Sequence, residues 1–375
     1  MRIGVDIRCL MDTRYSGISE YTYNLFKELL SIDSENQYIL YYNAARAIQP
    51  RPFSAPNIEY KAFRYPNILF NLALRFLKFT SIDAMIGGVD VFITPNFLFT
   101  NISKKCKRIL IVHDLSFEHY PNFFTLKQRL WHTLIGPKQL CHSSDSVVAI
   151  SKSTARDIIS LYGVEEKKVA LIYPGVSDTF FKPMTQEYIN AVLAKYQLTP
   201  EYIYSLGNLE PRKNISLLLS AFERIDDPAA RLVIAGAPSW KYHALYEKWK
   251  NSPKRDRITF IGYIDADERQ ALYAAAQIFV YPSIYEGFGL PPLEAMACGT
   301  PVISSTSSSL VESVGDAGIL VDPYNVNDLT DAINGLLADP LLRQTFIERG
   351  KARVQQFRWS TTAKSVQKLI RSLTV

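Results

Sequence analysis

Cysteine is scarce and scattered in this sequence of 375 residues. The four thiols belong to Cys9, Cys106, Cys141 and Cys298, which form neither a Cys-x-x-Cys pair nor a Cys/His cluster. This spacing suggests neither a disulfide framework nor a zinc site, and it fits the reducing cytoplasm.

Long apolar runs are also absent. No uninterrupted run approaches the roughly 18 residues of a membrane-spanning helix. Met1 leads directly into an apolar strand pattern, without the charged segment and cleavage site of a secretory signal. We therefore expect a protein that is neither secreted nor membrane-spanning, and that is cytoplasmic or peripheral at the inner face of the cell membrane.

The net charge of +6 is mild, and the Lys and Arg residues are dispersed. A nucleic-acid-binding arm would concentrate them, so no nucleic acid partner is expected. An anionic small molecule or an acidic membrane surface would account for the charge.

Apolar residues make up 47% of the chain, and a chain of this length usually forms two domains. Short β-branched and aromatic runs alternate with longer segments of helical period, which predicts βαβ units and parallel sheets. The pattern occurs twice. The predicted strands are Arg2–Ile7, Tyr38–Tyr42, Val91–Thr94, Ile109–Val112, Val147–Ile150, Val169–Ile172, Tyr202–Leu206, Leu232–Ala235, Thr259–Ile261, Ile278–Tyr281, Val302–Ser304 and Ile319–Val321.

Proline and glycine between Tyr173 and Pro183 mark a linker. The sequence thus predicts an α/β protein with two doubly wound, Rossmann-like domains, residues 1–175 and 176–355. Residues 356–375 read as an amphipathic helix that follows a completed domain, and we expect it to cross back to the first.

The most informative segment is 281–295, which reads as a strand, a glycine-containing loop and a helix start. Gly287 and Gly289 let the backbone approach a ligand and adopt positive φ, so that loop amides face hydroxyls or phosphates. Glu286 and Glu294 could hold sugar hydroxyls by charge-assisted hydrogen bonds. Alternatively, Glu286 caps a turn and Glu294 stabilises the helix N-terminus.

Two further strand ends carry polar residues. Arg212 and Lys213 follow the first strand of the second half and could bind a diphosphate, or form a solvated face. His113 follows Ile109–Val112, where the alternative is a structural histidine. Gly17 lies in the loop Tyr15–Tyr21 between the first strand and its helix.

These motifs resemble family 4 of the glycosyltransferases. The E-G-F-G-L-x-x-x-E core of that family matches Glu286 to Glu294 position for position, and 207–214 is similar to its G-x-x-x-x-x-K-N element. The resemblance covers nearly the whole chain and is weakest from about Ile48 to Gly88. It implies the B-type fold, in which two Rossmann-like domains face each other across a cleft, and retention of anomeric configuration.

The resemblance also implies roles for individual residues. Glu286 and His113 would be the catalytic residues. Glu286 would lie close to the donor sugar, and His113 would contact that sugar without acting as a nucleophile. Glu294 would bind the ribose of the donor. Gly17 and the backbone of 287–290 would contact the diphosphate, and 287–290 would also contact the sugar. The predicted donor-binding residues are Gly17, Arg212, Lys213, Tyr263, Gly287, Phe288, Gly289, Leu290 and Glu294.

The resemblance implies metal-independent chemistry, so no metal ion is expected. No other cofactor is expected either, since the nucleotide sugar is itself a substrate. Asp265-Ala266-Asp267 is formally a D-x-D motif, but Glu268 follows Asp265 at the spacing of a helix-capping pair. A G-x-G-x-x-G fingerprint is missing, so use of NAD is not expected.

The stretch Lys61–Lys78 mixes aromatic and aliphatic side chains with arginine and lysine. A buried helix would explain it. The alternative is a surface that rests on anionic lipid, which would suit a lipid-linked acceptor at the cytoplasmic face.

His113-Asp114 and the downstream Tyr120-Pro121 resemble mannosyltransferases of surface-polysaccharide and lipopolysaccharide pathways. They favour GDP-mannose as donor, with UDP-sugars as the alternative, and a saccharide acceptor, polyprenyl-linked if the lipid interpretation holds. A non-catalytic nucleotide-sugar-binding protein is the alternative from another class. A phosphorylase is disfavoured because no lysine context for pyridoxal phosphate is present.

Overall fold

The computed structural model describes residues 1–11, 17–45, 50–77 and 81–373, so Tyr15, Ser16 and Lys78 lie outside the described residues. The chain divides into two compact units. The first unit comprises Met1–His119, Leu126–Gly175 and Trp359–Val375, and the second comprises Tyr120–Thr125 and Val176–Arg358.

The first unit is built around a parallel sheet with the strand order β3-β2-β1-β4-β5-β6-β7. Its central strands are buried on both faces, which explains their nearly continuous apolar sequences. The strands are β1 (Arg2–Asp6), β2 (Gln37–Asn43), β3 (Ile58–Phe63), β4 (Val91–Thr94), β5 (Lys107–Val112), β6 (Ser146–Ala149) and β7 (Val169–Leu171). The helices are α1 (Gly17–Ile32), α2 (Asn67–Phe76), α3 (Ile82–Met85), α4 (Ser116–His119), α5 (Leu126–Ile135), α6 (Pro137–Ser143) and α7 (Lys152–Tyr162).

The second unit repeats this architecture with the strand order β10-β9-β8-β11-β12-β13, again parallel. The strands are β8 (Tyr202–Leu206), β9 (Leu232–Ala235), β10 (Ile258–Gly262), β11 (Ala276–Tyr281), β12 (Val302–Ser305) and β13 (Ile319–Val321). The helices are α8 (Gln186–Lys195), α9 (Ile215–Phe222), α10 (His243–Lys250), α11 (Arg269–Ala274), α12 (Leu290–Ala297), α13 (Leu310–Val314), α14 (Val326–Ala338) and α15 (Pro340–Val354).

In each sheet the strand order reverses between two neighbours, β1 and β4 in the first unit and β8 and β11 in the second. Loops on the two sides of such a switch point diverge and leave a crevice beyond the carboxyl ends of the strands. Ligands of open parallel sheets bind there, so these two positions are where functional side chains are expected.

The core of the second unit lies between its sheet and helices α9 and α14. Leu218 and Phe222 of α9 and Leu329 and Ile333 of α14 are fully buried against strand residues such as Ile278. Burying one such side chain, compared with leaving it exposed to water, stabilises the folded state by about 1.5–3 kcal/mol. This packing fixes the strand ends from which the candidate site is built.

The last helix, α16 (Trp359–Ser372), lies in the first unit and packs along α1. The Trp359 ring stands edge-on to Tyr21 of α1 at a centroid distance of 5.2 Å, and the Thr362 hydroxyl donates to the carbonyl of Tyr173 at 2.7 Å. The first unit differs from the contiguous 1–175 domain expected from sequence, because Tyr120–Thr125 belongs to the second unit.

In residues 58–77 the sequence analysis missed a strand and was wrong about a helix. Strand β3 was not predicted, because its side chains are only half-buried or exposed at the sheet edge and its apolar signal is weak. The expected buried helix is also incorrect. Helix α2 begins only after Pro66, and Ile68 and Phe76 are 77% and 64% exposed.

Among the described residues, no helix is both long enough and apolar enough to cross a bilayer.

Candidate functional site

The candidate site of the second unit lies at its switch point, where β8 and β11 are hydrogen-bonded neighbours. The loops that leave these two strands are joined to each other. The amide of Ile284 donates to the carbonyl of Arg212 at 2.9 Å, and the Asn214 side-chain amide donates to the carbonyl of Pro282 at 3.1 Å. Residues some 70 positions apart in sequence are thereby held in one place.

Arg212 bridges two carboxylates. Its Nη2 lies 2.6 Å from Oε1 of Glu210, and its Nη1 lies 2.7 Å from Oε2 of Glu286. The same Nη1 donates to the carbonyl of Tyr285 at 2.8 Å. The guanidinium plane is thus fixed by partners from both loops, as its rigid fork of donors permits.

Lys213 completes a four-residue charge cluster with Glu210, Arg212 and Glu286. Its Nζ lies 2.7 Å from Oε1 of Glu286 and donates to the Tyr281 hydroxyl at 2.6 Å. A side chain at position 207 would contact the aliphatic stem of Lys213 at 3.3 Å, so a glycine there leaves room for the lysine. The cluster contains two cations and two carboxylates.

Burial and charge act in opposite directions on Glu286. Burial by itself would raise the pKa of its carboxyl, but the adjacent Arg212 and Lys213 outweigh that effect and lower it to about 2. Glu286 is therefore ionised at neutral pH. Burial also lowers the pKa of Lys213, an effect that Glu286 partly reverses.

Serines after β12 hold the backbone of Glu286. Its amide donates to Oγ of Ser308 at 2.8 Å, and the Ser309 hydroxyl donates to its carbonyl at 2.8 Å. The carboxylate is consequently positioned by three loops, which follow β8, β11 and β12.

The glycine-containing loop leads into α12 as expected. Gly289 has φ of +92°, and a Cβ at this position would lie 2.5 Å from Leu310, so only glycine fits without displacement. Gly287 is buried in this loop, and Leu290 is the first residue of α12. Phe288 packs edge-on against Phe357 at 5.4 Å.

Glu294 is buried on α12 and accepts a hydrogen bond from the Tyr273 hydroxyl at 3.0 Å. Tyr263 lies just after β10 and is exposed. The residue that precedes α12, Gly289, has no side chain to cap the helix.

Glu268 contacts Asp265, the partner expected from their spacing. A backbone hydrogen bond joins Asp265 to the carboxylate of Glu268, which also binds Nζ of Lys195 at 2.5 Å and the Tyr196 hydroxyl at 2.6 Å. Asp265 and Asp267 are exposed. The ion pair between Lys195 of α8 and Glu268 could not be predicted from sequence spacing.

In the first unit, His113 follows β5 and is half-buried. Its Nε2 lies 2.8 Å from the carbonyl of Pro95, and its ring meets Tyr21 edge-on at 4.8 Å. A carbonyl can only accept, so Nε2 carries the proton and Nδ1 is left as the acceptor. Burial lowers the pKa of His113, which keeps the ring neutral. Gly17 is the first residue of α1.

The structure therefore brings Arg212, Lys213 and Glu286 into direct contact and places Glu294 on the helix that follows. His113 and Gly17 belong to the first unit.

Sequence reasoning missed Glu210 and Ser308 as site residues, and it used Tyr120 only for the resemblance to mannosyltransferases. The position of Glu210 two residues before Arg212 was an available signal, as was the run of serines after β12. Tyr120 lies in the segment that joins the second unit, where its ring meets Tyr285 at 5.9 Å and its hydroxyl is hydrogen-bonded to Tyr324. No local sequence pattern predicts the contacts of Tyr120 with Tyr285 and Tyr324.

Two family descriptions match the chain. "Glycosyltransferase Family 4" matches residues 15–180, and "Glycosyl transferases group 1" matches residues 192–353.

Similar proteins of established name include mannosyltransferases. O-antigen chain mannosyltransferase B of Escherichia coli is 32% identical over 269 residues, which cover 71% of this chain and 70% of that protein. Serotype-specific mannosyltransferase WbdA of Escherichia coli is 31% identical over 59% of this chain, which spans only 28% of WbdA. D-inositol 3-phosphate glycosyltransferase of Kribbella flavida is 30% identical over 64% of this chain and 59% of that protein.

Solved structures resemble the chain over its whole length. Sucrose-phosphate synthase from Thermosynechococcus elongatus has a TM-score of 0.78 at 23% identity, covering 100% of this chain and 99% of that one. Anabaena HepE in complex with UDP and glucose has a TM-score of 0.75 at 18% identity, covering 99% and 100%. At these identities the likeness concerns the fold, and it confirms the predicted glycosyltransferase B-type fold.

Proposed function

The chain belongs to family 4 of the glycosyltransferases, and from that premise we propose that it transfers mannose from GDP-mannose to a saccharide acceptor with retention of configuration. The acceptor would be a growing surface polysaccharide of the O-antigen type. The glycosyl donor is a substrate, and the reaction would need no metal ion or other cofactor.

The observation that carries the proposal is the pair of cations at the switch point of the second unit. Arg212 and Lys213 are adjacent, largely buried and fixed by hydrogen bonds from the loops that follow β8 and β11. A nucleoside diphosphate leaving group gains negative charge as its bond to the sugar breaks. Once the donor is bound, cations held at that position would stabilise the developing charge.

Glu286 binds both cations directly, so the incoming diphosphate would compete with a carboxylate for them. Donor binding would then draw Arg212 and Lys213 toward phosphate oxygens and leave Glu286 free to accept hydrogen bonds from sugar hydroxyls. Glu294 on α12 is the proposed ribose ligand. The amides of 287–290 are the proposed partners of the sugar and diphosphate oxygens.

In the proposed reaction, the bond between the anomeric carbon and the diphosphate oxygen breaks. The acceptor oxygen forms its bond to the same carbon from the same face. The acceptor proton passes to an oxygen of the departing diphosphate, which leaves as GDP. No protein nucleophile is needed, and Glu286 and His113 act by contacting the donor sugar.

Mannose is favoured by the names of the relatives in Escherichia coli that are 31–32% identical. Other acceptors and sugars occur among relatives of similar identity, such as the D-inositol 3-phosphate glycosyltransferases. UDP-sugars are therefore the alternative donors. A polyprenyl-linked saccharide is the proposed acceptor.

The first test is hydrolysis and transfer across a panel of GDP-, UDP- and ADP-sugars, with and without EDTA. We expect GDP-mannose to give the highest kcat/KM, no loss of activity in EDTA, and an α-linked product by NMR. Preference for a UDP-sugar would refute the donor, and a β-linked product would refute retention. Nucleotide-sugar binding without any turnover would instead establish the non-catalytic alternative.

A further inference from the structure

The helix α2 of the first unit presents apolar side chains to solvent instead of to the core. Ile68, Leu72 and Phe76 recur at four-residue spacing, and all three are exposed, whereas Phe70 and Leu74 on the other side are buried. Four-residue spacing places the exposed side chains in one stripe along the helix. The helix therefore has two apolar faces, of which the core covers one.

Helix α5 of the same unit repeats this feature. Leu126, Leu130 and Leu134 recur at the same spacing and are exposed, as is Trp131 beside them, while Ile135 faces the core. Single exposed apolar residues are ordinary, but two whole helix stripes are not.

The two helices are joined where they meet. Nε of Arg75, near the end of α2, donates at 3.0 Å to the carbonyl of Leu134, in the last turn of α5. A carbonyl in the last turn of a helix lacks an intrahelical partner, and the arginine supplies one with favourable charge. The exposed stripes of α2 and α5 therefore belong to one continuous region of the first unit, here named the α2–α5 face.

The two helices of the α2–α5 face and the residues next to them in sequence carry charge of a single sign. Neither 61–77 nor 121–143 contains an aspartate or a glutamate. Exposed cations flank both stripes, and they are Arg64, Arg75, Lys127, Arg129 and Lys138.

We propose that the α2–α5 face binds the surface of an anionic lipid bilayer. Leucine, phenylalanine and tryptophan beside arginine and lysine are the composition of helices that lie in a membrane interface. The apolar stripes would enter the acyl boundary, and the cations would meet lipid phosphates, with their stems extended along the interface. A protein partner would need a matching apolar and acidic surface, whereas anionic lipid offers both properties everywhere.

The inference goes beyond the proposed reaction, and its test uses neither donor nor acceptor. The full chain is floated with vesicles of phosphatidylcholine alone and of phosphatidylcholine mixed with phosphatidylglycerol. We expect recovery with the anionic vesicles, little with the neutral ones, and release at high salt. Equal recovery with both kinds of vesicle would overturn the proposal.

Variants locate the binding surface. Leu126→Ser with Leu130→Ser should lower the partition coefficient by at least about tenfold. The matched control combines Leu341→Ser, at a position 81% exposed against 80% for Leu126, with Leu161→Ser, and it should bind as wild type. Equal loss in the two double variants would contradict a specific face.

A second pair separates charge from apolar contact. Lys127→Gln with Arg129→Gln should lower binding to anionic vesicles on the order of tenfold. Lys364→Gln with Lys368→Gln removes the same charge from exposed positions of α16 and should have little effect. Donor hydrolysis in lipid-free solution should be unchanged in all four variants. A lipid-free dimer that the leucine variants abolish would assign the face to a second copy of the chain and refute the proposal.

Discussion

At the scale of single residues, Glu286 is held through both its carboxylate and its backbone. Its carboxylate pairs with two largely buried cations, and its pKa of about 2 reflects this arrangement. Removing this carboxylate would have two opposite effects. The two cations would become more available to a diphosphate, while the donor sugar would lose a hydrogen-bond acceptor.

We therefore predict that Glu286→Gln lowers kcat by about 100-fold or more, in the range seen when one preorganised polar contact to a transition state is lost. The Kd for GDP should stay constant or fall, because the competing carboxylate is gone. Steady-state kinetics and calorimetric titration measure the two quantities. Glu187→Gln, exposed on α8, is the control. A variant with full activity, or one that binds GDP tenfold more weakly, would contradict this role.

His113 offers a pH-dependent test of its environment. Burial lowers its pKa in the folded protein below the ordinary value of 6.5, so the unfolded chain binds the proton more readily. The corresponding stability is present above that ordinary value and is lost as the pH falls below it. The melting temperature of the wild type should thus fall more steeply from about pH 7.5 to 5.5 than that of His113→Asn. The exposed His243→Asn should retain the wild-type slope, and parallel curves for wild type and His113→Asn would show that His113 is not responsible.

At the scale of elements, α16 supports the side of the first unit that holds His113. Trp359 meets Tyr21 edge-on, and Tyr21 meets His113 in the same manner, so a chain of three rings runs from α16 through α1 to the end of β5. The last helix of the sequence is therefore part of the environment of a residue near position 113. It acts on His113 by positioning α1.

Trp359→Ala should lower the free energy of unfolding by about 3–5 kcal/mol, the usual cost of a large buried side chain. Lys364→Ala, exposed on the same helix, should change it by less than about 0.5 kcal/mol. Urea denaturation followed by circular dichroism measures both. A loss below about 1 kcal/mol would indicate that α16 is not tightly packed on α1.

At the scale of the whole molecule, one architecture is used twice with different chemistry. Each unit has a parallel sheet with a switch point, β1 beside β4 and β8 beside β11. The second unit places a cluster of charged side chains beyond its switch point. The first unit carries a neutral histidine, a helix that begins at Gly17 and the α2–α5 face. The two units therefore differ in the charge that they carry near their switch points.

Much of the fold could be predicted from the sequence, because the signals are local. The apolar runs of β4, β8, β9 and β13 gave the observed strand limits, and the other predicted strands differ by one or two residues at their ends. The conformation of Gly289 in the loop before α12 could also be predicted, since a positive φ there favours glycine. Strand β3 was missed because edge strands need little apolar sequence.

The sequence alone determined which short runs become strands and which polar residues follow their carboxyl ends, because both depend on periodicity over a few residues. Only the tertiary structure decided which strand ends meet. The pairing of β8 with β11 joined Arg212 to Glu286 in the charge cluster. In the first unit, packing covered one face of α2 and left the other exposed. Such contacts depend on packing between segments far apart in the chain, and no local pattern encodes them.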